Sequence, residues 1–161
     1  MLRFTPYIGS DPEKPQTTIT MMNEEVRTIM STNVVTAHPY QSVGEVAKIM
    51  LREQLQQLPV VDNAGRLVGL ITSYDMWRDC RLNRHSENRA VNEVMNVHIV
   101  KLAPKDKVGT AAELFMDRRF KTLPVVNLDG KLKGVVTAFD VIRYSLKKEY
   151  RRPILYEEVL Q

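Results

Sequence analysis

The most regular hydrophobic pattern in the chain is a helical stripe that occurs twice. Its apolar residues recur at positions i, i+3, i+4, i+7 and i+8, which places them on one face of an α-helix. They are Val43, Val46, Ala47, Met50 and Leu51 in the first occurrence, and Val108, Ala111, Ala112, Phe115 and Met116 in the second. Ser42 and Glu45 have the spacing of a capping box, and we expect Asp106 to cap the second helix.

Two short β-rich runs follow each of these helices. The tripeptides Asn63-Ala64-Gly65 and Leu128-Asp129-Gly130 separate the runs and are typical of hairpin loops. A further helix is expected after each hairpin, and a short extended piece ended by a proline precedes each long helix. The predicted extended pieces are 33–36 and 98–102, the strands are 58–62, 66–72, 123–127 and 131–137, and the later helices are 73–81 and 138 to about 150.

These patterns coincide because the chain contains an internal repeat. A shift of 65 residues aligns positions 26–78 with 91–143 without a gap, and identical residues occupy 17 of the 53 aligned positions. Chance agreement would give about three. A unit of this size buries too little surface to be stable alone, so two units are expected to share a core. The sequence therefore predicts an α/β fold of the α+β kind, made of two pseudo-symmetric repeats, each helix, strand, helix, strand, strand, helix.

Composition excludes several classes of protein. Hydrophobic residues make up 43% of the 161 positions, which is enough for a packed core and argues against a disordered chain. One cysteine excludes an internal disulfide framework, and the three histidines lack the spacing of a metal site, so no metal is expected. No apolar run is long enough for a membrane span, and residues 1–16 do not read as a targeting segment. We expect a cytoplasmic protein with no membrane partner.

At this point the motifs carry a resemblance. Leu58-Pro59-Val60-Val61-Asp62, then Gly65-Arg66-Leu67-Val68-Gly69-Leu70-Ile71-Thr72, then Asp75 occur in the order that is typical of the cystathionine-β-synthase (CBS) domain. Residues 123–140 repeat the pattern, so the chain resembles a stand-alone tandem CBS pair, or Bateman module, over about residues 24–148. The resemblance implies two repeats packed sheet to sheet with two clefts between them, a homodimer, and a regulated partner protein that the sequence does not name.

The same resemblance implies adenosine ligands in the clefts: AMP, ADP or ATP, with S-adenosylmethionine as a weaker possibility and no obligatory cofactor. The aspartate of each Thr-x-x-Asp motif would accept hydrogen bonds from the ribose, and the threonine would face the phosphates. Segments near the first strand and the Leu-Pro-Val-Val run would hold the base. Carried over position by position, the candidates are Thr32, Val34, Leu58, Thr72 and Asp75 with the first repeat, and Val97, His98, Ile99, Lys121, Thr122, Thr137 and Asp140 with the second.

The two repeats differ where a phosphate would bind. The first carries Gln56 and Gln57 ahead of its Leu-Pro-Val-Val run, whereas the second carries the basic run 118–121, and the aligned halves have net charges of +1 and +3. We therefore expect Lys121 to contact a phosphate, with basic residues of the opposite repeat as alternative phosphate contacts, and the site with Asp140 to be the tighter one. Each feature also has a purely structural interpretation: Thr-x-x-Asp is an ordinary helix cap, and a basic run at a helix end favours the helix dipole.

The leading hypothesis is a non-enzymatic sensor that binds an adenosine nucleotide and signals by a conformational change. The main alternative is a structural dimerisation module whose ligand sites have degenerated. Nucleic-acid binding is less favoured, because the net charge is only +4 and no nucleic-acid-binding motif occurs. No catalytic motif is present either, so we do not expect an enzyme.

The expected boundaries follow from the repeat. Residues 24–82 and 91–148 form the repeats and 83–90 link them. Residues 1–23 are an N-terminal extension that matches neither repeat, and residues 149–161 form a C-terminal tail. The tail contains an apolar stretch after Pro153 that we expect either to clasp a second protomer or dock on a partner, or to remain solvated.

Overall fold

The computed structural model describes residues 22–117 and 120–149, and each repeat contains a helix, a β-hairpin and a second helix. In the first repeat these are α1 (Val43–Arg52), β1 (Gln57–Val61), β2 (Leu67–Thr72) and α2 (Ser73–Leu82). In the second they are α3 (Val108–Met116), β3 (Thr122–Val126), β4 (Leu132–Thr137) and α4 (Ala138–Glu149). Three short 3-10 helices, Val26–Thr28, Ser86–Asn88 and Val91–Glu93, complete the described elements.

The N-termini of the two long helices are capped differently. Ser42 and Glu45 form the predicted capping box at α1: the Ser42 hydroxyl accepts from the Glu45 N–H at 3.2 Å, and the Glu45 carboxylate accepts from the Ser42 N–H at 2.9 Å. The predicted cap at α3 is wrong, because Lys107 occupies the N-cap without a side-chain cap. The carboxylate of Asp106 instead accepts the Ala103 N–H at 2.7 Å, which orders the preceding turn.

The apolar stripes bury their first two turns but not their last residues. Val43, Val46 and Met50 lie in the first core, whereas Leu51 is 79% exposed, and the equivalent Met116 is 83% exposed. A residue eight positions along an α-helix has rotated about 80° away from the first one. The prediction that Leu51 and Met116 share the buried face is therefore wrong in both repeats.

Each hairpin is an antiparallel pair with the same register irregularity. Val60 and Val61 in the first sheet, like their equivalents in the second, flank a β-bulge. The tips of the hairpins then join the two repeats: the Leu67 N–H donates to the Gly130 carbonyl at 3.0 Å, and the Leu132 N–H donates to the Gly65 carbonyl at 3.0 Å. Both glycines have φ near +75°, a conformation that glycine adopts without a steric penalty.

The opening segment of each repeat crosses from one sheet to the other. We call residues 22–31 and 89–96 the lead segments. Ser31 bridges Val135 of the second sheet, and a few residues later the chain forms a parallel bridge from Ala37 to Val60 of the first. The second lead segment mirrors this path. The predicted extended pieces are therefore not strands: 33–36 contains no bridge, and 98–102 contains only the bridge from Leu102 to Val125, because a crossing segment cannot pair along its length.

As a result, each lead segment packs in the core of the other repeat. Val26 lies at the start of the first repeat but is fully buried in the second core, and Val91 lies at the start of the second repeat but is fully buried in the first core. The first core contains Ala37, Val43, Val46, Met50, Leu58, Val60, Ile71, Val91 and Val94, and the second contains Val26, Leu102, Val108, Ala111, Leu123, Val125, Val136 and Val141. The two halves thus share their hydrophobic cores.

Two clusters of polar side chains, which we call the latches, each join a lead segment to a helix. The first latch connects the second lead segment and the linker to α2. Asp79 is only 8% exposed, and its carboxylate accepts from the Asn83 side chain at 2.8 Å and from the Ser86 hydroxyl, while also pairing with Arg89. A buried carboxylate requires such partners to offset its desolvation. Asp79 therefore anchors the segment that runs from the first repeat to the second.

The second latch occupies the equivalent place on α4 with the charges reversed. Glu24, the counterpart of Arg89, accepts from Lys148 at 2.7 Å and from the hydroxyl of Tyr144, the counterpart of Asp79. The hydrogen bond from Lys148 and then that from Tyr144 lower the pKa of Glu24, and Glu24 in turn raises the pKa of Lys148. Burial and the contact with Glu24 raise the pKa of Tyr144.

The described part of the chain confirms the predicted fold class. It combines four helices and two small antiparallel sheets in two pseudo-symmetric halves. Within the described ranges, no helix is long and apolar enough to cross a membrane.

Candidate ligand cleft

The two Thr-x-x-Asp motifs adopt the same geometry, at the point where β2 meets α2 and β4 meets α4. Thr72 caps α2, and one oxygen of Asp75 accepts from the Thr72 hydroxyl at 2.5 Å and from its N–H at 3.2 Å. In the second repeat Asp140 accepts from Thr137 at 2.7 Å and 2.8 Å. The capping interpretation of the motif is thus correct in both repeats.

Capping occupies only one oxygen of each carboxylate. The other, Oδ1, faces a single arginine at a loose distance, 3.6 Å from Arg78 for Asp75 and 3.9 Å from Arg143 for Asp140. The aspartate side chains are 13% and 9% exposed, whereas both arginines are more than half exposed. Each aspartate therefore retains an oxygen that can accept hydrogen bonds from a ligand.

The first motif opens into a cleft of about 500 Å³ between the repeats. The cleft unites the N-terminus of α2 with residues of the second repeat, and its lining is Gln57, Leu70, Thr72, Asp75, Asn96, His98, Ile99, Val100, Phe120, Lys121 and Thr122. Six sequence-predicted residues, Thr72, Asp75, His98, Ile99, Lys121 and Thr122, are brought together here. Both repeats therefore build this cleft.

The path of the second lead segment explains this mixed composition. Asn96 forms an antiparallel bridge with Leu70 on the edge of β2, so the residues that follow, His98 and Ile99, pass over the first repeat's motif. Lys121 lines the cleft that contains Asp75, so it reaches that cleft from the repeat opposite the Thr-x-x-Asp motif. The alignment of the repeats shows which residues are equivalent, but the crossing of the lead segments determines which cleft each residue lines.

Gln57 is the main cleft residue that the sequence reasoning missed as a ligand contact. Its side-chain nitrogen is buried and, within the described residues, has no hydrogen-bond partner. It sits opposite Thr72 in the hairpin register, and Leu70 shares the face of β2 with Thr72 through the two-residue period of a strand. That register is the signal that could have identified both residues. An unpaired buried donor costs free energy unless a ligand supplies an acceptor.

The remaining predicted residues lie elsewhere. Thr32 and Val34 line a separate cavity of about 210 Å³ with Leu132 and Gly134 of the second sheet. Leu58 is 1% exposed in the first core, and Val97 is 58% exposed outside the cleft lining. Thr137 and Asp140 are also absent from that lining. Arg118 and Arg119 of the basic run fall outside the described residues.

The cleft contains an acidic group from the first repeat and nitrogen donors from the second. Asp75 supplies a carboxylate at the helix N-terminus, while Lys121 and His98 supply nitrogen donors from the other repeat. The positive dipole end of α2 adds to the attraction for an anion. Leu70 and Ile99 contribute apolar surface to the same lining. The cleft can therefore both accept hydrogen bonds from hydroxyl groups and bind an anion.

Comparison with known proteins identifies the repeats. The family model for the CBS domain matches residues 26–76 and 91–147. An uncharacterised protein of Methanocaldococcus jannaschii, MJ1225, is 32% identical over 134 residues, which cover 76% of this chain and 47% of that protein. A homoserine O-acetyltransferase of Methanohalobium evestigatum is 31% identical over 118 residues, 73% of this chain but only 23% of the enzyme. The chain thus spans a quarter to a half of these relatives.

Solved structures with the same fold include complexes with adenosine compounds. CBSX2 of Arabidopsis thaliana, crystallised with AMP, is 26% identical with a TM-score of 0.72, over 79% of this chain and 99% of that one. The CBS pair of MJ0100, crystallised with methylthioadenosine and S-adenosylmethionine, is 30% identical with a TM-score of 0.65, over 74% and 97%. With both repeats matched by the family model, this chain belongs to the CBS-domain family as a tandem CBS pair.

Proposed function

We propose that this protein is a non-enzymatic regulatory module that binds an adenosine nucleotide in the cleft containing Asp75. The observation that carries the proposal is the meeting, in one cleft, of a helix-capping carboxylate from one repeat with Lys121 and His98 from the other. A ligand held by both repeats binds better to one relative arrangement of them than to another. Binding can therefore shift the population between conformations that a partner protein distinguishes.

Asp75 is suited to the ribose. Its Oδ2 is occupied by Thr72, which fixes the rotamer, and its Oδ1 remains open toward a largely exposed arginine. Vicinal hydroxyls can both donate to a carboxylate, and hydrogen bonds to an ionised acceptor are about twice as strong as neutral ones. The capping role and the binding role are thus compatible in one side chain.

Lys121 and His98 are suited to the phosphates, and Gln57 to the base. Lys121 is the one lysine among the described residues of the cleft lining, and it comes from the repeat opposite Asp75. The buried, unpaired side-chain nitrogen of Gln57 can donate to a ring nitrogen of the base. The related structures with AMP, and with methylthioadenosine and S-adenosylmethionine, support a ligand of the adenosine class.

A homodimer forms part of the proposal. The outer faces of α2 and α4 expose equivalent large side chains, Tyr74 and Trp77 on α2 and Phe139 and Ile142 on α4, each between 54% and 62% exposed. Two such faces related by pseudo-symmetry suit a second copy that presents the same pair, because a twofold interface is self-complementary. Sedimentation of Trp77→Arg and wild type at equal concentration tests this: the variant is expected to be monomeric, and an unchanged dimer would contradict the assignment.

Isothermal titration of the full chain with AMP, ADP, ATP and S-adenosylmethionine tests the function. We expect at least one ligand to bind, and Asp75→Ala to weaken it by about 10- to 100-fold, the range for a hydrogen bond to a charged group. Asp140→Ala is the matched variant, because Asp140 has the same capping geometry but does not line this cleft, and a larger loss there than in Asp75→Ala would assign the ligand to the second motif.

Lys121→Gln separates phosphate recognition from base recognition. It is expected to weaken AMP, ADP and ATP by about tenfold while leaving S-adenosylmethionine, which has no phosphate, within about twofold. Equal losses for all four ligands would show that Lys121 supports the cleft without touching a phosphate. If no ligand released heat from the folded protein, the chain would be a structural dimerisation module and the proposal would fail.

A further inference from the structure

The second repeat carries a groove that is separate from the ligand cleft. It has a volume of about 670 Å³ and lies between the turn at 101–106 and the hairpin tip at 126–130, with Arg27 at one end. Leu128, at the hairpin tip, is fully exposed. The groove thus combines an unburied leucine with three cationic side chains, Arg27, Lys101 and Lys105.

Two of these cations are uncompensated. Arg27 pairs with Glu25, but Lys101 and Lys105 are exposed and have no ion-pair partner in the described part of the chain. Asp106, the acidic side chain in the lining, turns one oxygen to the Ala103 N–H. The groove therefore favours an occupant that carries negative charge as well as apolar side chains.

The first repeat provides an internal comparison. Its equivalent groove lies beside Pro39, Tyr40 and Asn63, and the residues 65 positions before Lys101, Lys105 and Leu128 are uncharged. Thr36 stands for Lys101, Tyr40 for Lys105 and Asn63 for Leu128. Because the backbone unit is the same, the lysines and the exposed leucine are not needed for the fold.

A segment with the complementary chemistry follows α4 in the sequence. Residues 154–160 read Ile-Leu-Tyr-Glu-Glu-Val-Leu, with five apolar or aromatic side chains around two adjacent carboxylates, and they lie outside the described residues. The end of α4 approaches the groove, since Lys148 contacts Glu24, three residues before Arg27. The five residues that follow Glu149 and end at Ile154 span about 17 Å when extended, so the segment begins within that distance of the end of α4.

We propose that this groove binds residues 154–160 of the same chain, with Leu128 contacting their apolar side chains and Lys101 and Lys105 contacting Glu157 and Glu158. The docked segment covers the exposed leucine and neutralises both lysines. The interaction is independent of the nucleotide cleft and does not rest on the proposed ligand.

Hydrogen exchange of the ligand-free full chain, followed by mass spectrometry, tests the docking. In Lys101→Glu/Lys105→Glu, amide exchange in 126–130 and 154–160 is expected to accelerate by at least about threefold. Glu157→Lys/Glu158→Lys should have the same effect, and combining the four substitutions should restore slow exchange. The control Lys48→Glu/Arg52→Glu changes net charge equally on the exposed face of α1 and should leave both regions unchanged.

Three results would overturn the proposal. The first is identical exchange in all variants, which would leave the groove unoccupied by this segment. The second is acceleration in the α1 control as large as in the groove variant, which would reflect net charge alone. The third is protection that rises with protein concentration, which would assign the occupant to a second copy rather than to the same chain.

Discussion

The exchange of lead segments predicts an unusual pattern of energetic coupling. Val26 and Val91 are both fully buried: Val26 lies in the core of the second repeat, and Val91 lies in the core of the first. Replacing either by alanine removes two methyl groups from a packed site, which is expected to cost about 1–3 kcal/mol of unfolding free energy. The size of this loss does not reveal which core the valine belongs to, but its coupling to a second substitution does.

Val46 in the first core and Val108 in the second supply the second substitutions, and both are fully buried. Substitutions within one cluster are expected to couple by about 0.5 kcal/mol or more, and distant ones to add within about 0.5 kcal/mol. Val26→Ala should therefore couple with Val108→Ala and not with Val46→Ala. Val91→Ala should show the reverse, so each pair controls the other.

The assay is urea unfolding of the four single variants and the four crossed double variants. Protein concentration must be constant and ligand absent, because both shift apparent stability through binding to the native state. Coupling of Val26→Ala to Val46→Ala would place Val26 in the first core, and this result would refute the exchange of lead segments between the two cores. Additivity in all four cycles would show that the valines do not contribute specific packing to either core.

Three further predictions concern the latches and one close contact. Asp79→Ala should cost about 2–4 kcal/mol in urea unfolding, because it leaves buried partners unpaired, and a loss below about 1 kcal/mol would contradict the anchoring role. Lys148 and Tyr144 hold the pKa of Glu24 below its ordinary value, so its contribution to stability is present above that ordinary value and is lost as the pH falls through the folded-state value. Lys148→Met should therefore lower the melting temperature at about pH 6, and the loss should shrink as the pH is lowered into the acid range; a loss that does not change with pH would contradict this. Gly134→Ala would place a methyl 2.7 Å from the Ser31 carbonyl oxygen, so its melting temperature should fall; an unchanged value would mean that the lead segment moves aside freely.

Local patterns predicted the elements well, because the forces that form them act over a few residues. The helical stripes, the capping box at Ser42 and the hairpin loops at Gly65 and Gly130 all appear where the sequence placed them. The errors also have local causes. Asp106 accepts a hydrogen bond from the Ala103 N–H in the preceding turn instead of capping α3, and Leu51 lies outside the face of α1 that packs in the core.

The composition of the cleft was harder to predict, because it depends on how the chain crosses between sheets. The alignment of the repeats assigns Lys121 to the second repeat, which also carries the second Thr-x-x-Asp motif. The bridge from Asn96 to Leu70 instead carries the second lead segment to the first motif, and the same cleft includes Lys121. A single long-range bridge of this kind leaves no periodicity in the sequence to detect.

The two latches also determine which lead segment packs against which helix. Two lead segments of similar sequence could each attach to either of two similar helices, and apolar packing alone would distinguish them poorly. Exchanging the segments would bring Glu24 against Asp79, two carboxylates, and Arg89 against Lys148, two cations. Each latch therefore attracts one lead segment and repels the other, so the opposite charges of the two latches favour a single arrangement of the two similar halves.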